Sequence, residues 1–228
     1  MFIDSNKLKR QYAAKGRFYQ IGYQNGKNAL CRSCLDIFSR NLDIDNQSPD
    51  AFIIMQNPGD SVSLEAIDNS FDGPIYRRTH PRLDQLIRQT PITMAKPDKT
   101  QYQVMRLMHH YGWNYARVLN LGDLRDTVSD SFIKKFLIIN DRYLSIFSGV
   151  RNTELFNLIH TIDSKPTVVA WGVDRRLKSL AIQALGALPD HICGLSGDHE
   201  HLFYHPLPRK NEGPRKWLER FISEITYS

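Results

Sequence analysis

The stretch AFIIMQNPGD, Ala51 to Asp60, starts as an unbroken apolar run and stops on a turn. Phe52, Ile53, Ile54 and Met55 show no polar alternation, as expected of a parallel strand covered on both faces. Pro58 and Gly59 end the run. In open α/β sheets ligands bind beyond the carboxyl ends of the strands, so the loop Gln56-Asn57-Pro58-Gly59-Asp60 falls where chemistry is usually placed.

Working outward, three more strands are expected: NYARVLNL (Asn114 to Leu121), PTVVAWG (Pro166 to Gly172) and a last one within Ile192 to His205. Helical patterns separate them. DKTQYQVMRLMHHYG offers a cap at Asp98 or Thr100, an apolar face of Val104, Leu107, Met108 and Tyr111, and a stop at Gly112. SDSFIKKFLIIND and NTELFNLIHTI read as helices, and DRRLKSLAIQALG reads as another that ends in a left-handed cap at Gly186. A final helix from Pro214 presents Trp217, Leu218, Phe221, Ile222 and Ile225. Alternation of this kind predicts a three-layer α/β/α fold around a central, mostly parallel four-stranded sheet. The chain reads as one domain, residues 1–228. It carries an N-terminal extension over 1–50, with a helix near NALCRSCLDIFSRN, and a long basic insertion over 61–99, with a short helix at PRLDQLIRQ.

A chain of 228 residues with 41% hydrophobic and 24% charged residues is expected to bury a full core. No run reaches the roughly 18 apolar residues of a membrane helix, and MFIDSNKLKR lacks the apolar centre of a signal peptide. Three cysteines do not make a disulfide framework. The expectation is a cytoplasmic monomer with no membrane partner. A formal charge of +6 makes polyanions plausible partners. The positive charge falls in two groups, Arg77, Arg78, Arg82 and Arg88, then Arg209, Lys210, Arg215 and Lys216.

Each expected strand ends in polar residues: Asn57 and Asp60, Asn120 and Asp123, Trp171 and Asp174, and His205 with Pro206. At this point the chain resembles the uracil-DNA glycosylase superfamily. MQNPGD is similar to the Asn-Pro-Gly loop of its mismatch-specific branch, VLNLGDLRD stands in the place of its base-reading asparagine, and YHPLPRK resembles its late histidine motif. The same segments resemble a bacterial family known mainly as a domain of unknown function.

The resemblance implies a DNA glycosylase that hydrolyses the N-glycosidic bond of a flipped pyrimidine without a cofactor. Asn57 would orient water, Asp60 would assist as base or as a carboxylate facing the sugar cation, and His205 would stabilise the departing base. Gln56, Pro58, Gly59, Phe71 and Asn120 would surround the base. Arg77, Arg78, Arg82, Leu207, Arg209, Lys210, Arg215 and Lys216 would contact DNA, Arg209 standing where the family has a wedging leucine. Uracil-specific members place a tyrosine at the position of Gly59. Glycine there predicts room for a pyrimidine enlarged at carbon 5, such as the hypermodified bases of phage DNA, and the setting stays open between DNA repair and defence against phage DNA.

Cys31 and Cys34 have metal-site spacing, but an iron–sulfur cluster takes four cysteines; two ordinary thiols are the expectation, with a zinc site completed by histidine as the alternative. No Walker or Gly-x-Gly-x-x-Gly motif occurs. Two other readings stay open: a module that binds modified bases without cutting, and a hydrolase of free nucleosides or nucleotides. Basic groups on the rim that holds Asn57 favour a polymer; basic groups facing away favour small substrates.

Overall fold

The computed structural model of the chain describes residues 2–69, 71–208 and 213–225. Its strands are β1 (Tyr12–Gly22), β2 (Asn28–Ser39), β3 (Ala51–Met55), β4 (Val62–Ser63), β5 (Ile75–Arg77), β6 (Ile92–Lys96), β7 (Tyr115–Asn120), β8 (Thr167–Ala170) and β9 (Ile192–Cys193). Its helices are α1 (Ser5–Gln11), α2 (Leu64–Asn69), α3 (Leu83–Gln89), α4 (Lys99–Tyr111), α5 (Ser129–Ile139), α6 (Asn152–Ile159), α7 (Lys178–Leu185) and α8 (Gly213–Glu224). The fold class is α/β.

The sheet is mixed, and among the described residues it has nine strands in the order β4-β6-β1-β2-β7-β3-β8-β9, with β5 also on β1. The expected parallel strands are there: β3 pairs in parallel with β7 and with β8, and β8 with β9. The four-stranded, mostly parallel sheet is not. An antiparallel hairpin of β1 and β2 continues the sheet from β7, and β6 continues it further.

The residues read as an N-terminal extension therefore supply two long strands in the middle of the sheet, and the expected helix at NALCRSCLDIFSRN is strand β2. The reason lies in coverage. β2 has a neighbour on each side and helices over both faces, so Cys34, Leu35, Ile37 and Asp36 are all buried. A strand buried on both faces loses its period of two and cannot be told from a buried helix by pattern alone. The insertion over 61–99 likewise folds onto the sheet as β4, α2, β5, α3 and β6.

Two cores flank the sheet. One face packs Leu35, Ile53, Val118 and Val168 against Val104 and Met108 of α4 and Trp217 and Phe221 of α8. The other packs Phe52, Ile54, Leu119 and Val169 against Ile87 of α3, Phe132 of α5, Leu155 of α6 and Ala181 of α7. Helix α4 starts in a full capping box at Asp98 and ends at Gly112 in the left-handed region, φ 71°. Gly186 does not take the left-handed cap expected of it; its φ is −66°.

Candidate functional site at the carboxyl edge of the sheet

The pairing brings the ends of β3, β7 and β8 side by side. Met55 is level with Asn120 on one side and with Ala170 on the other. Beyond β8, the amide of Gly172 donates to the carbonyl of Phe203 at 2.7 Å, two residues before His205. Asn57 leaves β3, and the His205 segment, which follows β9, is bridged through Phe203 to the end of the adjacent β8, so both lie at the same edge of the sheet. Gly172, at φ 103°, lies against Gln56: a Cβ there would stand 3.9 Å from Gln56 Oε1.

The loop after β3 is held from several directions. Asn57 Nδ2 donates to the carbonyl of Asp126 at 2.8 Å, which leaves its Oδ1 as an acceptor on the half-buried side chain. Gln56 is buried and tied to α5, its Oε1 accepting from Ser129 Oγ at 2.8 Å. The carbonyl of Pro58 accepts from Arg32 Nη1 at 3.2 Å. The amide of Asp60 donates to Asp98 Oδ2 at 3.2 Å, while the Asp60 side chain is exposed.

Gly59 sits at φ +66°, where a side chain is disfavoured, and a Cβ on it would lie 2.3 Å from Asp98 Oδ2. The space expected to be empty beside Gly59 thus holds the carboxylate of Asp98. The expectation of room for a base enlarged at carbon 5 is corrected by that contact. In the sequence Asp98 reads only as a helix cap; nothing in its spacing signals that its second oxygen reaches the loop.

Asn120 is fully buried, and neither its amide oxygen nor its amide nitrogen has a hydrogen-bond partner among the described residues. Arg32, on the neighbouring strand β2, is also buried; its Nε has no partner among the described residues, and burial pushes its pKa down to about 10 despite the nearby Asp98. Ser61 Oγ, three residues beyond Pro58, is buried and unpartnered as well. Such groups are expensive to leave unpaired, at roughly 1 to 3 kcal/mol each. Their concentration around one loop sets this edge apart from the apolar core on either side of it. Arg32 was invisible as a site residue because its segment was read as a helix.

The late segment is fixed from the helical layer. Tyr204 accepts through its carbonyl from Trp217 Nε1 at 3.1 Å, and Pro206 accepts from Gln103 Nε2 at 3.1 Å. His205 is half-buried, and its Nδ1 accepts from the amide of Leu207 at 3.1 Å. A neutral imidazole held this way carries its proton on Nε2. Gln103 Nε2 also donates to the carbonyl of Pro214 at 2.6 Å, bringing the start of α8, with exposed Arg215 and Lys216, up to the same segment. Arg209 and Lys210 lie outside the described residues.

Phe71 is exposed at 51% of its surface. The next residue, Asp72, is paired with Arg125 at 2.5 Å, one position before the Asp126 that holds Asn57. Arg77, Arg78 and Arg82 lie elsewhere on the rim. β1 runs antiparallel to β2, and β2 antiparallel to β7, so β1 points the same way as β3 and its end belongs to the same carboxyl edge. Arg77, at the end of β5, pairs with Gly22 at the end of β1. Three strand spacings separate β1 from β3, roughly 14 Å. Exposed Arg82 precedes α3, and Arg78 is ion-paired with Asp141.

Cys31 and Cys34 are buried in the sheet, where desolvation raises both thiol pKa values. Among the described residues no group of three or more His, Cys, Asp or Glu side chains is placed to hold a metal. Nor is any helix among them long and apolar enough to cross a membrane.

No family model, curated protein or solved structure matches the chain.

Proposed function

We propose that the chain is a DNA glycosylase that hydrolyses the bond between a flipped base and its deoxyribose. The observation that carries the reading is Asn120: a buried amide with an unpaired donor and an unpaired acceptor, level with the end of the strand that delivers Asn57. A side-chain amide in that state matches a nucleobase edge that offers one acceptor and one donor side by side. Because Asn120 is fully buried, a base reaches it only when the residues packed over it move aside, so a conformational change accompanies binding.

In this reading the C1′–N bond breaks with its electron pair passing to the base. Water adds to C1′ and gives up a proton, so the products are a hydroxyl-bearing sugar and a protonated base. Asn57 Oδ1 accepts a hydrogen bond from the water, its Nδ2 being engaged by Asp126. The Nε2–H of His205 donates to the charge growing on the base, and the Leu207 amide keeps the proton on that nitrogen. Asp60, exposed on the same loop, is the carboxylate nearest in sequence for the water's proton or the sugar cation. Cationic residues on the same rim, Arg77 beside β1 and Arg215 and Lys216 at the start of α8, favour a polymeric substrate over a free nucleoside. The reading makes no claim about carbon 5 of the base, since Asp98 occupies the volume beside Gly59.

The test is release of free bases and formation of abasic sites from a panel of oligonucleotides, each with a different base at one position, and from phage DNAs bearing modified bases. Release is expected from at least one substrate, with a loss of about 100-fold to 1000-fold in His205→Gln and in Asn57→Ala. Binding without release from any substrate would replace the reading with that of a recognition module. Release unchanged in Asn57→Ala would remove that residue's role.

A further inference from the structure

The hairpin of β1 and β2 builds a second feature on the same edge. Between its tip, the turn after β5 and the end of α5 lies a groove of about 920 Å³ lined by Gly22, Tyr23, Asn25, Arg77, Arg78 and Asp141 among others. Its one lining carboxylate is already neutralised. Asp141 is almost wholly buried at its side chain, is ion-paired with Arg78 and accepts from Tyr23 Oη at 3.0 Å. The Arg78 guanidinium also lies 4.7 Å from the centre of the Tyr143 ring, so its plane is fixed from two sides while 38% of the side chain stays exposed. Arg77 is exposed and lends its charge to no carboxylate among the described residues. The lining therefore carries a net positive charge in which one arginine is structural and the other is available.

We infer that this groove holds the sugar–phosphate backbone of a nucleic-acid single strand, several nucleotides away from the base being read. The inference rests on the proposed function for the identity of the polymer. Three observations argue for it. The groove is too large and too open for a lone phosphate, being near the upper end of the volumes that enclose whole small ligands. Tyr23 and the clamped Arg78 offer flat, fixed surfaces beside a free cation, the combination used to hold stacked bases and their backbone. Finally, the groove lies on the carboxyl edge that carries Asn57, some three strand positions along, so one extended chain can occupy both.

Arg78 is the wrong residue to test, because its loss would strand the buried Asp141 and damage the hairpin. Arg77→Gln and Gln24→Glu change only exposed lining groups. The experiment titrates the full chain and each variant with a fluorescent 15-nucleotide single strand at several salt concentrations, with a mononucleotide and inorganic phosphate as competitors. Arg77→Gln is expected to lower the slope of log K against log salt by about 0.7, the loss of one single-strand phosphate contact. Gln24→Glu is expected to weaken binding without unfolding the protein. Both competitors are expected to displace the strand only at far higher concentration than an unlabelled strand.

Unchanged slopes and affinities in both variants would overturn the inference. Equal competition by the mononucleotide or by phosphate would overturn it too, in favour of a small phosphorylated ligand. Salt-dependent strand binding with the expected slope change, but no base released from any substrate, would leave this groove standing and remove the glycosylase reading instead.

Discussion

One carboxylate ties the loop after β3 to helix α4: Asp98 Oδ1 accepts from the amides of Thr100 and Gln101 at the start of α4, while Oδ2 accepts from the amide of Asp60. The two jobs are separable. Asp98→Ala removes both and is expected to lower stability by about 1 kcal/mol for the lost cap. Asp98→Ser restores a capping oxygen but has no second oxygen for the loop. Urea unfolding should show Ser recovering most of the stability, while base release stays depressed in both variants. Full recovery of release in Asp98→Ser would deny the loop contact any role.

Gly59 and Asp98 should be energetically coupled. Gly59→Ala meets both a left-handed backbone and the oxygen 2.3 Å from its new Cβ. The backbone part is worth roughly 1 to 2 kcal/mol. In an Asp98→Ser background the clash disappears and only that part remains. A double-mutant cycle by chemical denaturation should therefore give a coupling above about 0.5 kcal/mol, and simple additivity would refute the contact.

Asn120→Leu separates recognition from stability. Replacing an unpaired buried amide by an apolar side chain of similar size should leave the unfolding free energy unchanged or raise it by about 1 to 3 kcal/mol. Base release should fall by about 100-fold or more. A marked loss of stability would show that the amide is already satisfied in the resting protein.

A buried ion network gives a pH signature. Asp123 is fully buried, accepts from Tyr19 Oη at 2.7 Å and is paired with Arg151, which also grips Glu154 at 2.8 Å. Burial outweighs these partners and pushes the Asp123 carboxyl up from 3.8 to about 6. A raised acid binds its proton more tightly folded than unfolded. Its contribution to stability is therefore full below about pH 4, is lost as pH climbs to about 6, and is constant above. Measured against Asp123→Asn by urea unfolding, the wild-type advantage should shrink over that window by no more than about 3 kcal/mol. An advantage that grows with pH across it would contradict the assignment.

Legibility in the sequence followed the physics of burial. The helices α4, α5 and α8 were readable because their apolar residues keep a helical period: Val104, Leu107 and Met108, or Trp217, Leu218 and Phe221, face the core, even though Gln103 and Arg106 of α4 are buried as well. The parallel strands were readable as short apolar runs closed by turn residues. β1 and β2 were not, since Tyr12 to Gly22 mixes Lys15, Gly16 and Arg17 with apolar residues and β2 is covered on both faces. In the site, Asn57, Asn120 and His205 stood out as polar residues at strand ends. Arg32 and Asp98 did not, because their importance comes from contacts with Pro58 and Asp60, which are 26 and 38 residues away.

The place of β2 carries a last consequence. It pairs along β7 from Leu35 to Phe38, on the flank that would otherwise be the open border of the parallel strands. A shortened protein beginning near Asp50 would leave that border as a bare row of amide and carbonyl groups, ready to template pairing with a neighbour's strand. Such a fragment should come out of expression as insoluble aggregate, and adding the missing hairpin as a separate peptide should rescue it.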